Sequence, residues 1–230
     1  MKNIILVLGL ALGATLVTSV LAQSTDGVSH GVPDPRILSL HAKVDDLFKD
    51  GEVTRAYFIY RNELVPLGDK YAQYMVGYMH LTGLAVQQDR VVASAWYRLA
   101  AERGTPEFIQ LRDQLLFELN DDERTRSDQL YRELRHEYND LAVLLSSIKR
   151  HEEALRARSA DRGLGSSAFS PRPRSRESAK YYEQLERDLE RQLRMLAQLG
   201  NFSDLDTDPE EIDIEEIERL VSSRIEELSD

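Results

Sequence analysis

The sequence predicts an all-α protein: a short α/α solenoid, then a long coiled-coil-like helix, then a C-terminal helical hairpin. Three observations support this fold class. Residues 68–104 form a unit bracketed by glycines 36 positions apart, in which small and large side chains recur at helical spacing. Apolar side chains over 134–155 recur at steps of three and four, as in a heptad seam. Two further apolar stripes follow, over 182–199 and 214–228.

The first 22 residues have the pattern of a signal peptide. Lys2 is the one charged residue before an apolar run over 4–21, and Val20-Leu21-Ala22 has small residues where a signal peptidase cleaves. We therefore expect cleavage after this triplet and a periplasmic or secreted bacterial protein. The alternative is an uncleaved membrane anchor, which would be the chain's one contact with a membrane. Residues 23–35, with two glycines and two prolines, are predicted to be a flexible leader.

Composition limits the chemistry of the chain. There is no cysteine, which excludes disulfides and thiolate metal sites. The net charge is -11, and residues 201–230 hold 12 acidic and two basic side chains. The one basic stretch, over 156–178, is short, poor in aromatic residues and close to this acidic tail. We therefore do not expect a nucleic acid partner.

Three helix pairs are predicted to form a repeat domain over residues 36–120. Residues 37–67 form a degenerate first pair that caps the next one. In the main unit a first helix runs from about 69 to 81, and a second runs from Asp89, its cap, to about 103. The third pair opens at Gly104-Thr105-Pro106, with Thr105 as the cap and proline in the first turn.

Eleven positions of the main unit are predicted to be structural. They serve as turns, caps or close packing positions between helices: Gly68, Ala72, Gly77, Gly83, Asp89, Ala93, Trp96, Tyr97, Ala100, Ala101 and Gly104. These residue types and spacings resemble the Sel1-like repeat, a relative of the tetratricopeptide repeat. The resemblance is strong over 68–104 and weaker over 37–67 and 105–120. It does not extend to 122–230.

The resemblance implies an adaptor that holds a protein partner on the concave face of an α/α solenoid. In bacteria, similar secreted proteins are linked to envelope and stress-related processes. Trp96 and Tyr97 are predicted to be core residues, although they could instead line a ligand groove. The candidate partner-binding residues are tyrosines of the first two helix pairs, because tyrosine combines a large contact area with a polar group: Tyr57, Tyr60, Tyr71, Tyr74 and Tyr78.

The remainder of the chain is predicted to be helical except for one linker. A long helix is expected over 121–158, a disordered linker rich in Arg, Ser and Pro over 159–176, and a helical hairpin with an acidic tail over 177–230. The heptad seam predicts a homodimer formed through residues 122–199. The alternative for residues 201–230 is disorder, given their charge.

The sequence predicts no catalytic residue, cofactor site or metal site. His151-Glu152-Glu153 resembles the start of a zinc-protease motif, but Leu155 stands where the second histidine is needed. We therefore expect a non-enzymatic periplasmic adaptor that acts through protein–protein interaction with an unknown partner. The alternative is a secreted enzyme or enzyme inhibitor that binds peptidoglycan or a peptide in the solenoid groove.

Overall fold

The computed structural model describes residues 34–163, 176–203, 205, 207–209 and 212–228. Every regular element in these ranges is a helix, which confirms the predicted all-α class. The predicted signal segment at 1–22, nearly all of the leader and most of the linker lie outside the described residues. Among the described helices, none combines the length and the apolar character that crossing a membrane requires.

The chain divides into two compact units, Met1–Asn139 and Asp140–Asp230. The first unit contains the predicted helix pairs. Its helices are α1 (Pro35–Lys49), α2 (Val53–Ile59), α3 (Lys70–Thr82), α4 (Arg90–Ala100), α5 (Pro106–Glu118) and α6 (Asp121–Tyr138). Helix α2 continues directly as a π-helix (Tyr60–Leu64) and a 3₁₀ turn (Val65–Leu67). A second 3₁₀ turn (Ala101–Arg103) follows α4.

Local sequence explains where these helices begin. The Asp69 side chain accepts a hydrogen bond from the backbone N–H of Ala72 at the start of α3. Asp89 accepts from the first turn of α4 in the same way. Thr105 lies at the predicted N-cap position of α5, with proline in the first turn, but its side chain makes no capping hydrogen bond. Asn120 does cap α6, with Glu123 completing a capping box.

The first unit extends beyond the domain boundary predicted at residue 120. Helix α6 packs along α4, and Ser94 of α4 donates a hydrogen bond to Ser127 of α6 over 2.6 Å. Arg98 of α4 forms an ion pair with Asp128 of α6. Tyr138, at the end of α6, is buried in the same core as Trp96. The boundary therefore lies at Asn139, because the apolar face of α6 belongs to the repeat domain.

The single helix predicted over 121–158 is in fact two helices. Asn139 takes an extended backbone conformation (φ -69°, ψ 168°), which ends α6 and lets α7 (Asp140–Gly163) begin with an acidic first turn. In the second unit, α7 packs against both α8 (Arg176–Gly200) and α9 (Ile214–Glu227). Helix formation within the acidic tail is thus confirmed over the range of α9, which Asp213 caps.

The core of the second unit consists of the predicted apolar stripes. Ile148, Leu189 and Leu193 are completely buried, and Ile217, Val221 and Ile225 of α9 are at most 2 % exposed. Many of the side chains that suggested a dimer seam are therefore buried within one chain, although Leu199 of α8 is 47 % exposed. The homodimer stays a prediction, because the packing of α7, α8 and α9 already accounts for most of the apolar pattern that motivated it.

Candidate functional site

Helix α3 presents an uncharged surface in a chain of which 30 % of residues are charged. Its one Lys, Arg, Asp or Glu side chain is Lys70, which is 2 % exposed. Lys70 donates hydrogen bonds to the Leu99 carbonyl and the Glu102 carboxylate, both over 3.2 Å. The α3 side chains that reach the surface are therefore apolar, aromatic or neutral polar groups.

Three of the predicted partner-binding tyrosines form a row along α3. Tyr71, Tyr74 and Tyr78 follow helical spacing, and each is half-buried. Their ring centroids are 6.0 Å apart between Tyr71 and Tyr74 and 6.4 Å apart between Tyr74 and Tyr78. Burial raises the pKa of both Tyr71 and Tyr74 to about 12. These hydroxyls are therefore neutral over the physiological pH range.

The middle tyrosine is held between two other aromatic rings. Tyr74 stacks on Tyr97 of α4 (centroid distance 5.4 Å, interplanar angle 17°) and on Phe108 of α5 (5.2 Å, 18°). Such pairs contribute about 0.5–1.5 kcal/mol beyond their buried area. Because both faces of Tyr74 are covered, it presents an edge and a hydroxyl to the surface.

Gly77 makes this arrangement possible. A Cβ atom at this position would lie 2.7 Å from Cδ1 of Tyr97, closer than carbon atoms approach in proteins. The absent side chain therefore lets the Tyr97 ring pack directly against α3, where it stacks on Tyr74 and shares an apolar cluster with Tyr78. Burial is the largest cause that raises the pKa of Tyr97 well above its ordinary value.

The other positions predicted to be structural lie at turns or in the core. Gly68, Gly83 and Gly104 all have a positive φ, between 74° and 79°, in the left-handed region that favours glycine. Five alanine and tryptophan positions are between 0 and 3 % exposed: Ala72, Ala93, Trp96, Ala100 and Ala101. The glycines thus end helices, while the alanines let α3, α4 and α5 approach closely.

Comparison with known families agrees with this geometry. Residues 70–105, from the start of α3 to the residue before α5, match the family model of the Sel1 repeat. This segment is a Sel1 repeat. No curated protein and no solved structure matched the chain. The Sel1 repeat is typically a non-catalytic module of protein-interaction scaffolds.

Two of the five candidate tyrosines are placed differently from the row on α3. Tyr60 is 2 % exposed and packs against His41, Phe48 and Tyr71, so it is not available to a partner and that part of the prediction is wrong. Tyr57 is half-buried on α2, where its hydroxyl lies 3.3 Å from Nε2 of His80 on α3. Tyr57 therefore belongs to the packing between α2 and the Sel1 repeat.

A buried polar network ties the Sel1 repeat to the helix pair before it. His41 of α1 lies 2.8 Å from the Asp69 carboxylate, which also caps α3. Both side chains are buried, at 6 % and 0 % exposure. Because a buried carboxylate without partners would be costly, this pair fixes how α1 packs against the start of α3.

A second network ties the repeat to α6. The Glu102 carboxylate receives hydrogen bonds from Lys70 and, over 3.1 Å, from the Tyr131 hydroxyl, and Arg135 lies 2.9 Å from it. Gln73, which is completely buried, donates to the Tyr138 carbonyl over 3.1 Å. These contacts therefore join α3, the 3₁₀ turn after α4, and α6.

Arg61 was not identified from the sequence but has a central position. Its guanidinium lies 5.1 Å from the centre of the Trp96 ring and 4.8 Å from that of Tyr138, and it donates a hydrogen bond to the Tyr138 hydroxyl over 2.8 Å. These contacts are cation–π interactions. Trp96 itself is 3 % exposed, so it serves packing and is not a groove residue.

The side chains described above are better suited to binding a partner than to catalysing a reaction. Within the described residues no group of three His, Cys, Asp or Glu side chains could hold a metal ion. The buried His41–Asp69 pair is used in helix capping and packing. What the surface of α3 offers is aromatic edges, neutral hydroxyls and an absence of charged side chains, which suits recognition of an uncharged partner segment.

Proposed function

We propose that this chain is a periplasmic adaptor that binds a protein partner on the surface formed by α1, α3 and α5, the first helices of its three helix pairs. The Sel1 repeat supports an interaction role. The single observation that carries the location of the site is the uncharged tyrosine row of α3 in an otherwise highly charged chain. Tyrosine and other aromatic residues are enriched in interface centres, while charged residues are depleted there.

The neighbouring helices support this row from inside the fold. His41 of α1 packs against Tyr71, and Phe108 of α5 stacks on Tyr74, and both of these side chains are buried. The row is held rigidly, because Tyr71, Tyr74 and Tyr78 each contact another ring. A rigid aromatic surface loses little conformational entropy when a partner binds.

Photo-crosslinking tests the location of the site. A photoreactive phenylalanine analogue at Thr82, exposed at the end of α3, should give a discrete adduct with one partner in the native host. The same analogue at Thr54, exposed on α2, is the matched control and should not give that adduct. Tyr78→Ala should reduce adduct formation at position 82. Equal yields at both positions, or no adduct at 82, would contradict the proposed surface.

The periplasmic location and a role in envelope or stress-related processes are further parts of the proposal. They are supported by the N-terminal apolar segment and by the resemblance to secreted bacterial proteins. Fusing residues 1–22 to a phosphatase that folds only in the periplasm should give an active enzyme. N-terminal sequencing of the mature protein should begin at Gln23. A cytoplasmic, inactive fusion would remove this part of the proposal.

A further inference from the structure

The hydroxyls of Tyr74, Tyr78 and Tyr97 form a cluster that the fold itself does not use. The three rings pack together around Leu115. Within the described part of the chain, none of the three hydroxyls makes a hydrogen bond, and none is sealed away from solvent. Water bonded to such hydroxyls can be exchanged for a ligand's acceptor groups at little cost.

Packing alone does not explain why these positions are tyrosines. Phenylalanine would fill the same space and would stack in the same way, without bringing a polar atom to the edge of a core. Tyr97 is the clearest case, since its residue is 3 % exposed and yet its hydroxyl is not completely sealed from solvent. Gly77 lets this ring pack directly against α3, so that a residue of α4 joins Tyr74 and Tyr78 in one cluster.

The chemistry of the cluster limits what it can bind. The exposed face of α3 has no charged side chain, so this helix offers no counter-ion to a charged ligand group. Neutral hydroxyls suit uncharged acceptors such as backbone carbonyls. A stacked sugar ring is a poorer fit, because Tyr97 and Phe108 already cover both faces of Tyr74.

A polyproline II segment offers the required acceptors. It has no internal hydrogen bonds, so all its carbonyl oxygens are available, and proline has no N–H that needs a partner. It advances about 3.1 Å per residue, so two residues cover about 6 Å. That length is close to the 6.4 Å between the ring centroids of Tyr74 and Tyr78, the two tyrosines that α3 contributes to the cluster. Aromatic-lined surfaces are a recurring way of binding such segments.

We propose that this tyrosine cluster binds a proline-rich, uncharged segment of the partner in the polyproline II conformation. The hydroxyls of Tyr74 and Tyr78 donate hydrogen bonds to carbonyl oxygens two residues apart in that segment, and the Tyr97 hydroxyl donates to a further carbonyl oxygen. The inference rests on the proposed function, since it names the kind of partner segment that the α3 surface takes. The inference also assigns a partner contact to Tyr97, although the ring of this residue is buried in the core.

Binding of a labelled probe to the full chain tests the inference. The probe is a fluorescein-labelled peptide of ten prolines, and a Gly-Ser peptide of equal length is the control. Each of Tyr74→Phe, Tyr78→Phe and Tyr97→Phe should weaken binding about threefold to tenfold, and the triple variant by at least about tenfold. Tyr181→Phe, which alters an exposed tyrosine of α8, should leave binding unchanged.

Stability and a second probe decide among the other outcomes. The triple variant should keep its melting temperature, because the hydroxyls have no partner within the described fold. A drop in melting temperature would give the hydroxyls a structural role and overturn the inference. Unchanged proline binding in the triple variant, or no proline binding at all, would also overturn it. So would tyrosine-dependent binding of chitotetraose in place of the proline peptide.

The two proposals can fail separately. If the proline peptide does not bind but crosslinking at position 82 still captures the partner, the adaptor proposal stands and only the proline-rich segment is rejected. If neither occurs, the α3 surface is not the binding site. Proline binding that requires the three hydroxyls, together with the crosslink, supports both.

Discussion

The two units of this chain hold their helices together by different means. In Met1–Asn139 the core contains stacked aromatic rings, buried ion pairs and a glycine that admits a ring from the next helix. In Asp140–Asp230 the buried side chains are mostly Leu, Ile and Val, spaced along three helices. One polar layer interrupts them, in which Gln192 of α8 bonds Ser147 and His151 of α7, each over 2.8 Å.

This difference determines which substitutions each unit tolerates. Aliphatic stripes tolerate replacement by other aliphatic residues of similar volume. The Tyr97 ring requires a glycine at position 77, and the buried Lys70 requires an acceptor such as the Glu102 carboxylate. The first unit is thus defined by particular residue pairs, while the second is defined by periodicity.

The largest expected loss of stability comes from removing a large buried side chain, and this loss can be compared between the two units. Trp96→Ala should destabilise the first unit by about 3–5 kcal/mol, since it empties a large site and removes one of the two ring partners of Arg61. Leu189→Ala, which removes a completely buried side chain of the second unit, should cost about 2–5 kcal/mol. Urea unfolding followed by circular dichroism measures both. An unchanged transition in Trp96→Ala would mean that Trp96 is not a core residue.

High pH should weaken the first unit through its buried tyrosines. Burial raises the pKa of Tyr71 and Tyr74 to about 12, against about 10 in the unfolded chain. The neutral side chains therefore stabilise the fold fully below pH 10, and this contribution is lost as the pH rises towards 12. The loss amounts to about 2–3 kcal/mol for each tyrosine.

Urea unfolding between pH 9 and pH 11.5 tests this, with fluorescence of the chain's single tryptophan as the probe. The double variant Tyr71→Phe/Tyr74→Phe is the control, and its stability should depend less on pH over this range. If wild type and variant lost stability in parallel, these two tyrosines would not be responsible.

Local patterns predicted the repeat well and its long-range contacts poorly. Gly68, Gly83 and Gly104 could be assigned to turns because a left-handed backbone leaves a signature in residue type. The partners of His41 and Gln73 are 28 and 65 residues distant, and no local spacing indicates them. The tyrosine row could be predicted from residue type and helical spacing, but the burial of Tyr60 depends on how α1 packs.

The sequence contains a signal for the end of α6 at Asn139. The apolar steps from Leu134 to Ile148 continue across it without interruption, so periodicity alone predicts one helix. Asn139 followed by Asp140 is a typical start of a new helix, because asparagine caps and an acidic residue favours the first turn. At this position the capping residues therefore predict the helix boundary correctly, whereas the continuous apolar stripe does not.

The Gly77–Tyr97 pair gives a sharper test of specific packing. An alanine in place of glycine inside a helix usually stabilises it by about 1 kcal/mol. Here Gly77→Ala should destabilise the first unit by about 1–3 kcal/mol, because its Cβ would lie 2.7 Å from the Tyr97 ring. In a Tyr97→Leu background the same change should become neutral or stabilising. Thermal melting of the wild type, the two single variants and the double variant gives the coupling free energy between positions 77 and 97. Additive effects of the two substitutions would argue against the close contact.

The smallest effects are expected at helix caps, where the two units should behave alike. Asn120→Ala removes a capping box in the first unit, and Asp213→Ala removes a cap with two bonds in the second. Each should cost about 1 kcal/mol. Thr105→Ala is the control, because Thr105 makes no capping bond, and its effect should stay within about 0.5 kcal/mol.

Equal losses at positions 120 and 213 would place the difference between the units in their cores, since backbone N–H groups at a helix start need partners whatever the core is made of. A loss at Thr105 as large as at Asn120 would show instead that residue type at the cap, and not the bond it makes, sets the stability.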